Sequence, residues 1–287
     1  MTRQLIEQII EKVSRGEVVP YLGPGVLFDA HNVISGEAMP ATSDGLILAM
    51  NKGRPMAPKL MYEFPRAAMN LELKRGRRFI EQFLTRLYKE NQWTRAALHD
   101  WIQSLSPPYV VDINRDLQLQ QSFETTPHYL VRGLARIGGT DYRFVINRYD
   151  GTRYSPIEPE AMGADLPILF KPLGSPSPTP SYIASDADFV DYLTELMGGF
   201  GVPPFLKNYR KGKQYLFLGM RFIRDTERMV MSDLIYDAGD PAGWALIKEP
   251  SEKEIRYCEK KKIIIMNMEP NEFLELAAIP ESCPTML

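Results

Sequence analysis

Cysteine and histidine are both scarce in this sequence. Its 287 residues hold two of the first, Cys258 and Cys283, and three of the second. Two cysteines at that spacing build neither a disulfide framework nor a four-cysteine zinc site. A dominant charge is missing as well. The formal net charge is -2, and no block of like charge is longer than Lys260-Lys261-Lys262. That balance argues against nucleic acid or an anionic membrane as partner, since both need a strong positive footprint. Wholly apolar runs such as Ile263 to Met266 are far too short to span a bilayer. The first twenty residues mix charged and apolar positions rather than forming a signal peptide, so a cytoplasmic protein is expected. Familiar catalytic signatures are absent too: no G-x-S-x-G elbow, no H-E-x-x-H pair and no P-loop with a Lys-Ser/Thr ending.

What is present is ordinary globular composition, 44% hydrophobic and 24% charged. A chain of this length buries roughly three quarters of its unfolded surface and needs no staples. Leu5, Ile6, Ile9, Ile10 and Val13 recur at helical spacing, with Gly16 as a C-terminal stop. The apolar run Val18–Leu22 follows and ends in Gly23-Pro24-Gly25. Residues 26–66 show weak periodicity, and irregular structure is expected there. Phe79, Phe83, Leu84 and Leu87 mark one amphipathic helix; Leu98, Trp101, Ile102 and Leu105 mark another, with Thr94 as its cap.

Beyond residue 108 the pattern alternates. Strands are expected at 109–113, 144–146, 168–170, 215–218, 245–247 and 263–265. Helices are expected at 117–123, 129–137, after Ser185, at 229–235, after the Ser251/Glu254 capping box, and from Pro270. Short apolar strands alternating with amphipathic helices indicate an α/β fold, a doubly wound, Rossmann-like and mostly parallel sheet with helices on both faces. The chain reads as a single domain over residues 1–287 with a helical insert near 52–106. Whether the tail 280–287 is ordered stays open.

In open α/β sheets, ligands sit beyond the carboxyl ends of the strands, where the strand order reverses. A glycine turn after the first strand admits a phosphate close to the backbone, and a helix N-terminus behind it attracts negative charge. Gly23-Pro24-Gly25 stands at that place, although such a turn by itself is also a common structural device. Further segments follow in order: Ala38-Met39-Pro40, Val110 through Asp116, Phe170-Lys171-Pro172-Leu173-Gly174-Ser175, Phe217-Leu218-Gly219-Met220 through Asp225, and Phe273-Leu274. Together with Val18 through Gly25 they resemble the sirtuin family, and in particular its divergent bacterial branch that lacks the zinc module. The resemblance covers most of the chain. It implies that NAD or ADP-ribose binds, with no zinc. Gly23 and Gly25 would line the diphosphate, Asn114 and Asp116 would face the nicotinamide end, and Gly219 would lie on the adenosine side. Pro24, Arg115, Gly174, Asp225 and His31 complete the expected cofactor-binding set. An amide at a strand end can indeed fix a ribose hydroxyl or carboxamide; equally, Asn114 and Asp116 can cap the following helix.

Four departures from that family's pattern bear on activity. Pro24 stands where the family has alanine and lacks a backbone N–H. Leu27 replaces a hydroxyl residue. Arg115 replaces an aromatic or small polar residue and either meets phosphate or faces solvent. Leu173 stands where the family places its catalytic histidine, a group of the kind that contributes about a hundred- to ten-thousandfold in rate. Among this chain's histidines, His31 is the one placed to fold over a ligand. His128 is expected to open a helix in a structural role, and His99 to be a surface or satisfied core residue. Asp112, at a strand end beside Asn114, is either a substitute base or a solvated terminus. The catalytic set is therefore Asn114, Asp116 and Asp112.

The reaction implied by the resemblance is hydrolysis of NAD to nicotinamide and ADP-ribose, as in anti-phage defence proteins of that branch, rather than protein deacylation. The alternative is a catalytically inactive nucleotide-sensing or protein-interaction module that assembles as a homo-oligomer or with a protein partner. Other constellations read as scaffold. Asp186, Asp188 and Asp191 are expected on a solvated helix face, the Arg/Tyr cluster at 142–154 at the surface or a protein interface, and the 14 methionines in adaptable core packing.

Overall fold

The computed structural model describes residues 3–137 and 142–278; the tail 280–287, with Cys283, lies outside them. The helices are α1 (Arg3–Ser14), α2 (Ser43–Met50), α3 (Pro58–Met61), α4 (Phe64–Arg75), α5 (Arg77–Thr85), α6 (Ala97–Ser104), α7 (Gln118–Ser122), α8 (Asp186–Met197), α9 (Pro204–Tyr209), α10 (Asp225–Leu234), α11 (Glu252–Lys260) and α12 (Pro270–Ala278). The strands are β1 (Val18–Leu22), β2 (Tyr109–Asp112), β3 (His128–Gly133), β4 (Phe144–Tyr149), β5 (Tyr154–Ile157), β6 (Ile168–Lys171), β7 (Gly174–Ser175), β8 (Ser181–Tyr182), β9 (Gln214–Leu218), β10 (Gly243–Leu246) and β11 (Ile263–Met266).

Nine strands form one sheet in the order β11-β10-β9-β1-β2-β6-β3-β4-β5, while β7 and β8 make a small separate ribbon. All pairs from β11 across to β3 are parallel, and β4 and β5 add an antiparallel edge. The expected doubly wound α/β fold is what forms. Side chains alternate along each strand between two cores. Val18, Leu22, Leu216 and Leu218 pack with Ile9 of α1, Ile102 of α6 and Phe273 of α12. Val19, Tyr21, Tyr215 and Phe217 pack with Tyr192 of α8, Leu206 of α9 and Val230 of α10. No helix among the described residues is long and apolar enough to cross a membrane.

Two expected segments differ. The helix expected at 129–137 is instead β3, buried along its whole length between β6 and β4. A short apolar run such as Tyr129-Leu130-Val131 carries no period that separates strand from helix. Gly133 also fits the strand: a Cβ there would lie 1.9 Å from the Pro172 carbonyl oxygen. Accordingly His128 opens a strand and not a helix. It is buried and structural, its Nδ1 2.7 Å from the Thr126 carbonyl oxygen and its Nε2 2.8 Å from the Tyr154 hydroxyl. The second difference is that α2 and α3 lie within the stretch expected to be irregular. Thr42 caps α2 by accepting from Gly45 N. Its periodicity is faint because Leu46-Ile47-Leu48-Ala49-Met50 is one uninterrupted apolar run, which puts apolar side chains on every side of the helix. The cap expected from Thr94 for α6 comes instead from Asp29, whose carboxylate accepts from Ala97 N at 2.9 Å.

The acidic residues of α8 are not a solvated face. Asp188 is fully buried; it accepts from Ala184 N and Ser185 N at the helix start and pairs with Arg77 and Arg136. Asp191 pairs with Arg143 at 2.9 Å. The capping box expected from Ser251 and Glu254 forms at the start of α11, and Ser185 opens α8 with a second box completed by Asp188. Ser251→Ala is expected to cost about 1 kcal/mol of stability, read as a lowered denaturant midpoint with unchanged slope.

The placement of β1 sets the site. From β1 the chain runs outward on one side through β2 to β6, β3 and β4, then returns to lay β9 along the other side of β1. Strand order reverses between β1 and β9, and the crevice at their carboxyl ends is where such folds seat ligands.

Candidate functional site

Gly23-Pro24-Gly25 and Gly219 meet at that crevice. Gly25 N donates to the Gly219 carbonyl at 2.9 Å. Gly219 has φ +68, and a Cβ on it would lie 2.4 Å from Val26 N. Only two glycines let these strand ends approach so closely. The loop spends its own donors, however. Gly23 N donates to Leu218 O, Gly25 N to Gly219 O and Val26 N to Gly23 O, while Pro24 has no N–H. Residues 23–26 therefore leave no free backbone N–H for a phosphate oxygen.

Two cavities adjoin the loop and share a wall made by Pro24, Ser43 and Glu227. The larger, about 280 Å³, is lined by Gly25 and Gly219 where they meet. Met220, Ile223, Leu246 and Pro270 give it an apolar side; Arg221, Arg224 and Lys248 bring cations. Residues at the starts of α2, α10 and α12 also line it, so three positive helix ends converge on one space. The cations are anchored: Arg221 to Glu254 at 2.9 Å, Arg224 to Asp44 at 3.3 Å and Lys248 to Glu272 at 3.0 Å. The smaller cavity, about 40 Å³, is lined by Asn114 and Arg115 and closed by Leu173, Phe64 and Phe189. At roughly 10–15 Å³ per water it has room for about three water molecules.

Asn114 lies at the end of β2 with both amide hydrogens committed, to Gly23 O at 3.0 Å and Asp112 Oδ1 at 2.9 Å. Its carbonyl oxygen, without a partner among the described residues, presents an acceptor to the small cavity. Arg115 is buried rather than solvent-facing. It donates from Nε and Nη2 to the Ile183 carbonyl at 2.9 and 2.6 Å, and its guanidinium lies 5.4 Å over the Phe64 ring. Burial lowers its pKa to about 10, so it remains cationic at neutral pH. Asp116 accepts from Gln118 N at 2.7 Å in a local turn ahead of α7, whose N-cap position is Leu117, and its other oxygen is buried without a partner among the described residues.

Asp112 sits beneath this layer, fully buried. Its Oδ1 accepts from Asn114 N and Nδ2, and its Oδ2 from Lys171 Nζ at 2.6 Å. Burial alone would raise its pKa, but the Lys171 ammonium, with His99 adding to it, holds the carboxyl well below the usual range. A carboxylate held so low is a poor proton acceptor. What it does is orient the Asn114 amide. His99, expected at the surface or as a satisfied core residue, is fully buried with both ring nitrogens lacking a hydrogen bond; Nε2 is 3.9 Å from Asp112 Oδ2. Ligand atoms of His99, Asp112 and Asp116 come within 4.8 Å of one another. With the Lys171 ammonium already on Asp112, a divalent cation there would stand against a fixed positive charge.

No protein-family model matches this chain, and no curated protein matches it. Pro24, Gly25, Asn114, Arg115 and Gly219 line the two cavities, and Gly23 is joined to Asn114 by a hydrogen bond. Gly23, Asp112, Asp116, His31, Asp225 and Gly174 line neither. His31 is exposed, its Nδ1 2.9 Å from the Asp29 carbonyl oxygen. Asp225 is exposed and pairs with Arg228. Gly174, at φ +87, serves the β7–β8 ribbon, where a Cβ would lie 2.0 Å from Ser181 O.

Two residues were not legible as site members, Lys171 and Glu227. Lys171 gave a faint signal, a charge ending a fully buried strand. Glu227 gave none, because an acidic residue in a first helical turn reads as a partner for the helix dipole. In the fold it stands on the wall between the cavities, and its carboxylate forms no hydrogen bond or ion pair with a described residue. Burial, then the nearby Glu63, raises its pKa to about 7, against the pull of Arg224 and Arg115.

Proposed function

We propose that this chain binds an adenine nucleotide of the NAD or ADP-ribose type at the β1/β9 switch point, in keeping with its sirtuin-like segments. The observation that carries this reading is the cavity of about 280 Å³ lined by Gly25 and Gly219. Its apolar side, formed by Met220, Ile223, Leu246 and Pro270, suits a flat base. Its cations and three helix ends suit phosphate. The volume is close to the lower end of small-molecule pockets, about 300 Å³.

Binding is favoured over turnover. The cavity facing Asn114 holds about three waters and is closed by Leu173, which has no proton to exchange. NAD hydrolysis is the second reading, supported by the free Asn114 carbonyl and the unpartnered Glu227 beside it. A nucleotide-sensing or assembly module is what binding without cleavage would mean.

ADP-ribose at a hundred times its dissociation constant is expected to stabilise the fold by about 2.7 kcal/mol, seen as a higher melting temperature. Chromatography of the same sample incubated with NAD reads nicotinamide release. Identical melting with and without millimolar NAD and ADP-ribose would remove the binding proposal. Release that persists in Asn114→Ala would remove the cleavage reading from this site.

A further inference from the structure

We propose that Glu227 binds the ligand as a neutral carboxylic acid, donating its proton to a phosphate oxygen, so that each nucleotide bound takes up one proton. This rests on the nucleotide-binding reading above.

Uncommitted hydrogen-bond donors on the loop side of the larger cavity are scarce. The glycine loop spends the N–H groups of Gly23, Gly25 and Val26 on its own backbone and has none at Pro24. The cations lining the larger cavity are each already paired with a carboxylate. Beyond the backbone N–H groups at the three helix starts, the loop and the paired cations offer few donors, and a side-chain donor on the shared wall adds one. Glu227 is in the first turn of α10, on the wall common to both cavities, and its oxygens have no partner to give up.

Charge requires the same proton. A diphosphate bridge is dianionic at neutral pH, and a carboxylate beside it in a partly buried space would repel it. Two anions in one site cannot both keep their charge cheaply, so one takes up a proton. The groups facing Glu227 do not supply the neutralisation. Glu63, ahead of α4, adds negative charge but is itself held by Thr226 at 2.7 Å. Arg224 is paired with Asp44, and Arg115 is turned to the Ile183 carbonyl. Tyr21 of β1, the remaining titratable neighbour, has its pKa raised far above neutrality by burial. With its pKa raised by burial to about 7, Glu227 loses little when it protonates.

Calorimetric titration with ADP-ribose at pH 8, in two buffers of different ionisation enthalpy, tests this. Proton uptake approaching one per ligand is expected for the wild type and none for Glu227→Gln, which keeps a donor but cannot ionise. By linkage, wild-type affinity should weaken toward about tenfold per pH unit above neutrality, while Glu227→Gln stays flat. Glu63→Gln, which removes the neighbouring charge, should move the onset of weakening to lower pH. Wild-type binding without proton uptake, or an unchanged pH slope in Glu227→Gln, would overturn the proposal. Absence of wild-type binding at every pH would instead overturn the nucleotide reading, and this inference with it.

Discussion

Lys171→Ala is expected to destabilise the fold by about 3–5 kcal/mol, because it leaves the Asp112 carboxylate buried and unpaired. Both side chains are fully buried, and Asp112 has no other cation in contact. His99 lies 3.9 Å away and has no hydrogen bond to offer in its place. Equilibrium denaturation of the variant measures the loss. The double variant Asp112→Asn with Lys171→Met should recover much of it, since removing both charges of a buried pair is often close to neutral. A loss below about 1 kcal/mol in the single variant would mean that water reaches the pair. The same pair predicts an acid limb. Asp112 has its pKa depressed in the fold, so its contribution is present above the unfolded value of about 3.9 and disappears as pH falls below it.

Gly219→Ala should remove nucleotide binding and lower stability together. The residue has φ +68, and the added Cβ would meet Val26 N at 2.4 Å and Gly25 C at 2.7 Å. Placing alanine at positive φ costs more than about 1 kcal/mol, and relief requires β9 and the glycine loop to separate. That separation takes apart the floor of the larger cavity. ADP-ribose affinity within about twofold of wild type, an energy difference of about 0.4 kcal/mol, would place the ligand elsewhere. Gly53 is a fitting control: it has φ +77 in an exposed turn with open space around it. Gly53→Ala should lower stability through backbone strain alone and leave affinity intact.

The local features of this chain were legible because short-range physics decides them. Val18–Leu22 reads as a strand because the run is short, rich in β-branched and aromatic residues, and ends in a glycine turn. Ser251 with Glu254, and Pro270 at a first helical position, close helix starts using atoms within one turn. The alternation of apolar runs with amphipathic segments was enough to fix a doubly wound sheet. It also located the crevice after β1, and with it Gly23, Gly25 and Asn114.

The tertiary structure decided what depends on partners distant in sequence. His128 to Gly133 became a strand because β6 and β4 were there to pair with it on both sides. Arg115 turned inward because a carbonyl 68 residues away accepts from it. Asp112 became an oriented, ionised support for Asn114 because Lys171 arrives beside it from β6. Glu227 left no mark in the sequence at all. Its proton affinity comes from burial and from Glu63, 164 residues before it, and its place on the cavity wall comes from how α10 starts beside β1. Composition and periodicity carry the strength of local preference, whereas the charge state of a buried group is set by whatever the rest of the chain brings next to it.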